Sequence, residues 1–242
     1  MKKIMFGLAA AIAMVAAADI ESSNVVGYMN TDGAVGFNFV SPAFKDIASD
    51  TVSIQSIKLN ENGAAFTDTI QVLDEGGSSV QVYFWTDADS SPTGKAGWLN
   101  EDMDGLAEQN LVAGQSVLID VSNEGTQISN AGEVRTAATG LSMVGTAGFN
   151  FVGNGSPVEI SIQGIKLDEN GSAFTDTIQI LDEGGSSVQV YFWTDADSSP
   201  TGEAGWLNED MDGLVDVKLA PGQGVLVDTA NDGVVITMPT AL

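Results

Sequence analysis

Apolar and polar residues alternate at period two along much of this chain, and the alternation predicts β-strands. Residues 69–73 read Thr-Ile-Gln-Val-Leu and residues 79–85 read Ser-Val-Gln-Val-Tyr-Phe-Trp. Asp74-Glu75-Gly76-Gly77 lies between the two runs, so they are expected to form a hairpin. Parity along residues 80–85 puts Val80, Val82 and Phe84 on one face and Gln81, Tyr83 and Trp85 on the other. Residues 117–121 and 225–228 predict further strands. Asn62-Gly63 and Asn170-Gly171 predict tight turns, because both residue types tolerate positive φ. After residue 18 no helical period persists beyond a turn or two.

The pattern is written twice. Shifted by 108 positions, residues 54–105 align with 162–213 and differ only at Ser56/Gly164, Asn60/Asp168, Ala64/Ser172, Val72/Ile180 and Lys95/Glu203. Gly36-Phe37-Asn38-Phe39-Val40 recurs at residues 148–152, a shift of 112, and Ala113-Gly114-Gln115 recurs as Pro221-Gly222-Gln223. A unit of about a hundred residues can bury its own core, whereas short solenoid units need stacked neighbours. The expected architecture is all-β: two tandem duplicated antiparallel β-sandwich or β-barrel-like domains, of about seven strands each. The division runs residues 1–18 signal peptide, 19–135 first copy, 136–140 linker and 141–242 second copy.

Met1-Lys2-Lys3, an apolar run to Val15 and Ala16-Ala17-Ala18 before Asp19 have the form of a secretory signal peptide. The apolar run is shorter than the roughly 20 residues a spanning helix needs. The chain is therefore expected to be extracellular, at the cell surface or periplasmic, with no membrane insertion once the leader is cleaved. Without Lys2 and Lys3, six bases face 33 acids, a formal charge of −27. That balance excludes nucleic acid as a partner, since phosphate contact needs Lys and Arg, and favours cations or plain solubility. With no His and no Cys, catalytic triads, zinc ligation and thiol chemistry are excluded. Pairs of carboxylates, the basis of glycoside hydrolysis, carry no specificity among so many acids, and the chain is read as not an enzyme.

Glu21-Ser22-Ser23-Asn24-Val25-Val26-Gly27-Tyr28, the GFNF element and Pro221-Gly222-Gln223-Gly224 together carry a resemblance. They are similar to a group of uncharacterised secreted bacterial β-domain proteins that open on ESSN-(I/V)-VGY and close with a PGQG strand. The resemblance implies secretion and a β fold, and brings no activity with it. Copy one departs from it at Ala113-Gly114-Gln115-Ser116, which lacks the Pro and the second Gly.

Two constellations are candidate sites. Asn-Glu-Asp-Met-Asp-Gly at residues 100–105 and 208–213 spaces oxygen ligands as the start of a calcium loop does. Asn100, Asp102, Asp104 and Glu108, with Asn208, Asp210, Asp212 and Asp216, occupy ligand positions one, three, five and nine. Leu111 and Leu219 stand at position twelve, where a bidentate Glu belongs, so neither loop is an EF-hand. A looser Ca²⁺ site would borrow oxygens from Asp87 and Asp89, or from Asp195 and Asp197. The alternative is a pair of solvated acidic turns. Tyr83, Trp85 and Trp98, with Tyr191, Trp193 and Trp206, form the second constellation, a stacking platform for sugar rings or a set of buried packing residues.

The leading functional expectation is a secreted, non-enzymatic structural or adhesive protein, calcium-stabilised and self-assembling; the strand at residues 25–29 either pairs within its own domain or is left unpaired to recruit another chain. The alternative is a carbohydrate-binding protein that uses the six aromatics. The partners implied are further copies of the chain or a surface polysaccharide.

Overall fold

The computed structural model describes residues 26–46, 51–74, 79–134, 141–182 and 187–239. The expected leader, the ESSN opening, the hairpin tip at residues 75–77 and the linker at 136–140 lie outside the described residues.

Copy one supplies β1 (Val26–Asp32), β2 (Gly36–Val40), β3 (Phe44–Lys45), β4 (Val52–Ser53), β5 (Ile57–Leu59) and β6 (Thr69–Leu73). It continues with β7 (Val80–Thr86), β8 (Gly97–Leu99), β9 (Asn110–Leu111), β10 (Val117–Val121) and β11 (Gln127–Val134). Copy two supplies β12 (Leu141–Val144), β13 (Gly148–Gly153), β14 (Ile160–Ser161), β15 (Lys166–Leu167) and β16 (Thr177–Leu181). It closes with β17 (Val188–Thr194), β18 (Gly205–Leu207), β19 (Lys218–Leu219), β20 (Gly224–Thr229) and β21 (Val235–Met238). One short 3-10 turn per copy, Ile54–Ser56 and Ile162–Gly164, is the only helical structure among the described residues. Every strand pairing is antiparallel. The all-β expectation holds.

The copies repeat one topology. A five-stranded sheet runs β2-β10-β6-β7-β8 in the first and β13-β20-β16-β17-β18 in the second. A smaller sheet runs β1-β11-β3, with β5 also on β11, and its counterpart runs β12-β21-β15. Strand β1 pairs along its length with β11 of its own copy, from Val26 against Glu133 to Asp32 against Gln127. The predicted hairpin is present, with Leu73 opposite Val80 and Thr69 opposite Phe84.

Parity decides what is buried. Ile119 faces Ile70 and Ile70 faces Tyr83, and all three side chains point into the core with Val72, Trp85 and Trp98. Ile57 and Leu59 of β5 and Ile128 of β11 close that core from the smaller sheet. A separate buried cluster around Ile162, Ile178, Trp206 and Val227 fills copy two. Buried apolar surface contributes about 25 cal/mol per Å², so these two interiors are where each copy's stability is concentrated.

A buried carboxylate ties each copy together. Asp68 is fully buried; its Oδ2 accepts from the Ala64 amide at 2.7 Å and its Oδ1 from the Ser122 amide at 2.8 Å. Asp176 does the same for Ser172 and Ala230, both at 2.7 Å. These bonds pin a loop in which Phe66 and Phe174 take φ of 61° and 59°, a strained region for a bulky residue. Positive φ therefore falls on these phenylalanines and not on Asn62-Gly63, which the sequence pattern favoured. Gly63 is required for closeness instead: a Cβ there would lie 2.8 Å from both Leu59 and the Trp85 indole nitrogen.

Replacing Asp68 with Ala strands two amides away from water, and each such loss costs about 1–3 kcal/mol. Urea titration of Asp68→Ala should therefore show stability lower by about 2–4 kcal/mol, and Asp176→Ala should behave alike. An unchanged midpoint would mean that the loop is not held by the carboxylate.

Candidate functional site

The acidic turns are closed by their own hydrogen bonds. Asn100 Oδ1 accepts from the Asp104 amide at 3.1 Å while its Nδ2 donates to Asp104 Oδ1 at 2.8 Å. Asn208 and Asp212 repeat both bonds, at 3.1 and 2.7 Å. The carbonyl oxygen that would ligate a cation is thus turned inward, and Met103 and Met211 hold φ of 55° and 57° to let the turn close. Asp87 is spent on the Ser90 amide at 2.7 Å, and Asp195 on that of Ser198 at 2.7 Å. Those backbone hydrogen bonds hold both carboxyls below their ordinary range. Asp216 pairs with Lys218 at 2.8 Å. Asp89, Asp102, Asp104 and Glu108, like Asp197, Asp210 and Asp212, stand exposed. Leu111 and Leu219 sit in the core, which explains why position twelve is apolar. Among the described residues no group of three or more acidic side chains converges to hold a metal.

The four tryptophans lie inside. Trp98 and Trp206 are fully buried and Trp85 and Trp193 retain 2% exposure, so no sugar ring can stack on them; the platform expected from their spacing is corrected on this point. In each copy the indoles meet edge to face with centroids 5.2 Å apart. Trp98 Nε1 donates to the Ile57 carbonyl at 2.7 Å, and Trp206 Nε1 to that of Ile165 at 2.8 Å. Lys58 stands 6.0 Å from the Trp85 centroid and donates to the Ala96 carbonyl; burial pulls its pKa down. Tyr83 is buried and Tyr191 half-buried, and burial raises both phenols, with Glu101 and Glu209 adding to it. What parity leaves outside is the other face: Val80, Val82 and Phe84, in rows that run through Gln71 and Leu118 to Phe39 and through Thr69 and Asp120 to Phe37.

The most built surface is the one joining the copies, which the spacing of candidate ligands did not indicate. Ser41 N donates to the Gly222 carbonyl at 2.7 Å, and Gly153 N donates to that of Gly114 at 3.1 Å. Positions 41 and 153 are equivalent, as are 114 and 222, so the two bonds are one bond made twice. Val40 bridges to Gln223 and Val152 to Gln115 in the same way. Copy one adds a bond from the Ser116 amide to the Phe151 carbonyl and one from Ser116 Oγ to the Val152 carbonyl at 2.9 Å. The Ala/Pro-Gly-Gln turn is the connector. Gln115 Oε1 accepts from the Val112 amide and Gln223 Oε1 from that of Ala220, which shapes each turn. Gly114 and Gly222 take φ of 85° and 74°, and any Cβ on them would collide with Met238 and Met29. The recurrence of Gly-Gln outside the near-identical block was the sequence signal for this surface.

Two related clefts flank it. One, of about 410 Å³, lies between Leu73, Val112 and Gln115 of copy one and Met143, Val144 and Phe151 of copy two. The other, of about 420 Å³, lies between Leu181, Ala220 and Gln223 of copy two and Thr31, Phe37 and Phe39 of copy one. Their walls are mainly apolar, with Asp74 at the first and Asp32 and Asp182 at the second.

Two outcomes follow from these placements. Because the indoles are enclosed, tryptophan emission should be blue-shifted, resist a soluble quencher and stay unmoved by polysaccharide; strong quenching would contradict the packing. Asp228 is raised above the ordinary carboxyl value by burial and then by Asp176. A raised folded pKa means the stabilisation it gives is present below the unfolded value and lost as pH rises through the folded one. Asp228→Asn should therefore raise the melting temperature at pH 7, and the gain should vanish at pH 3.

Comparison with protein-family models, with curated proteins and with solved structures finds no match to this chain.

Proposed function

We propose that this chain is an exported structural protein that self-assembles through its free strand edges, with adhesion as the outcome at a cell surface. The observation that carries the reading is the outer edge of β1. That strand bonds β11 along one side and, among the described residues, has no strand on the other. Within β1 only the last residue, Asp32, is charged and none is proline, and Tyr28 is 65% exposed. Edge strands are normally blunted by charge, proline or cover, because unpaired amides and carbonyls recruit another chain. The counterpart edge, β12, ends on Val144 at 68% exposure. Each molecule thus offers two edges of related sequence position, enough for propagation in two directions.

Charge sets the condition for assembly. A leaderless formal charge of −27 repels other copies beyond contact distance, and salt screens that repulsion over roughly 8–10 Å. Calcium enters this reading as a counter-ion between acidic surfaces of neighbouring molecules, because the acidic turns are already satisfied internally.

Electron microscopy and light scattering of the leaderless protein test the proposal. Filaments or sheets should form when Ca²⁺ or concentrated NaCl is added and disperse on chelation or dilution. Tyr28→Glu should stay dispersed with an unchanged melting temperature. A wild-type protein that remains monodisperse under every ionic condition would overturn the reading, and retention on polysaccharide in that state would favour the carbohydrate-binding alternative.

A further inference from the structure

Where two copies of one surface face each other, equivalent residues meet on the axis that relates them. Three equivalent pairs do so here. Phe39 meets Phe151 edge to face with centroids 5.3 Å apart. A Cβ at Gly153 would lie 2.5 Å from the Ser41 Cβ, and one at Gly224 would lie 2.8 Å from the Ser116 Cβ. Both small-residue pairs are mixed: copy one contributes serine and copy two contributes glycine. Real Cβ atoms do not approach so closely, so serine against serine is excluded at either place. Glycine against glycine would fit but would lose the Ser116 Oγ bond to Val152.

We propose that Ser41 and Ser116, set against Gly153 and Gly224, make the joining surface a recognition site for unlike copies, which a second molecule of this chain can occupy. Copy one rejects copy one and accepts copy two, and nothing in that fit requires the two to share a chain. The occupant is fixed by continuity with the interface the molecule already makes within itself. A short linker gives the internal partner an effective concentration of the order of millimolar, so internal pairing dominates in dilute solution. Exchange between chains takes over where molecules are crowded, and each exchange leaves an unlike copy free to recruit the next. The inference deepens the assembly reading and rests on it for its use, but the recognition itself is measurable without filaments.

The pair at 116 and 224 is the clean probe, because the three nearest atoms to an added Cβ at Gly224 all belong to copy one, whereas Gly153 also faces its own strand neighbours. In the full chain, Gly224→Ser should part the copies: small-angle scattering should show a larger radius, and the amides of Ser41, Ser116 and Gly153 should lose protection from exchange. Adding Ser116→Gly to the same chain swaps the pair and should restore the compact form, which separates a failed fit from a failed fold. Mixing the Gly224→Ser chain with a Ser116→Gly chain should give a one-to-one complex by light scattering, since both of its joining surfaces then pair serine with glycine. A Gly224→Ser chain as compact as wild type, an exchanged pair that does not recover, or an opened chain that ignores its complement would each overturn the inference. Absence of filaments in the wild type would count against the assembly reading alone.

Discussion

Everything in this molecule follows from which face of β7 and β17 turns inward. A strand sends successive side chains to opposite faces, so burying Tyr83 and Trp85 forces Val80, Val82 and Phe84 outward. Indoles bury more area than any alternative on that strand, and the Trp98 N–H has a carbonyl waiting at Ile57. Their burial decides the register of the whole five-stranded sheet through Ile70 and Ile119. The cost is an outer face that carries Phe37, Phe39, Leu118, Val82 and Phe84, interrupted by Thr69, Gln71 and Asp120 in the same rows.

That outer face explains why the copies do not simply hang on a linker. Phe39 and Phe151 cover one another at the axis, and the Gly-Gln turns of each copy reach across to bond the backbone of the other. The fourth positions of the two Gly-Gln turns are sterically linked. In copy one that residue, Ser116, occupies space that only a glycine at 224 leaves open. The two halves of the duplicated surface differ where they touch.

Acidity plays a different part from the one its density suggests. Asp68 and Asp176 are structural, holding backbone amides in the interior, while Asp87, Asp104 and their equivalents organise the turns they occupy. Exposed carboxylates such as Asp89, Asp102, Glu108, Asp197 and Asp210 act collectively, as a long-range repulsion that ionic conditions tune. The proposed assembly would depend on the balance between that repulsion and short-range attraction at strand edges.

The sequence by itself determined the local and the repetitive. Alternation at Thr69–Leu73 and Val80–Thr86 dictates strands, and near-identity at a shift of 108 dictates that both copies fold alike, because the same side chains demand the same burial. It also marked Leu111 and Leu219 as breaking the calcium pattern. Three things were left to the tertiary structure. Parity splits β7 into two faces without saying which is inside, since Val82 and Phe84 are as apolar as the alternatives. The spacing of Asn100 and Asp104 is the same whether their oxygens face a cation or accept from each other's N–H groups. The meeting of Ser116 with Gly224 depends on an axis between copies, and residues 108 apart acquire such a relation only when two folded bodies are packed together.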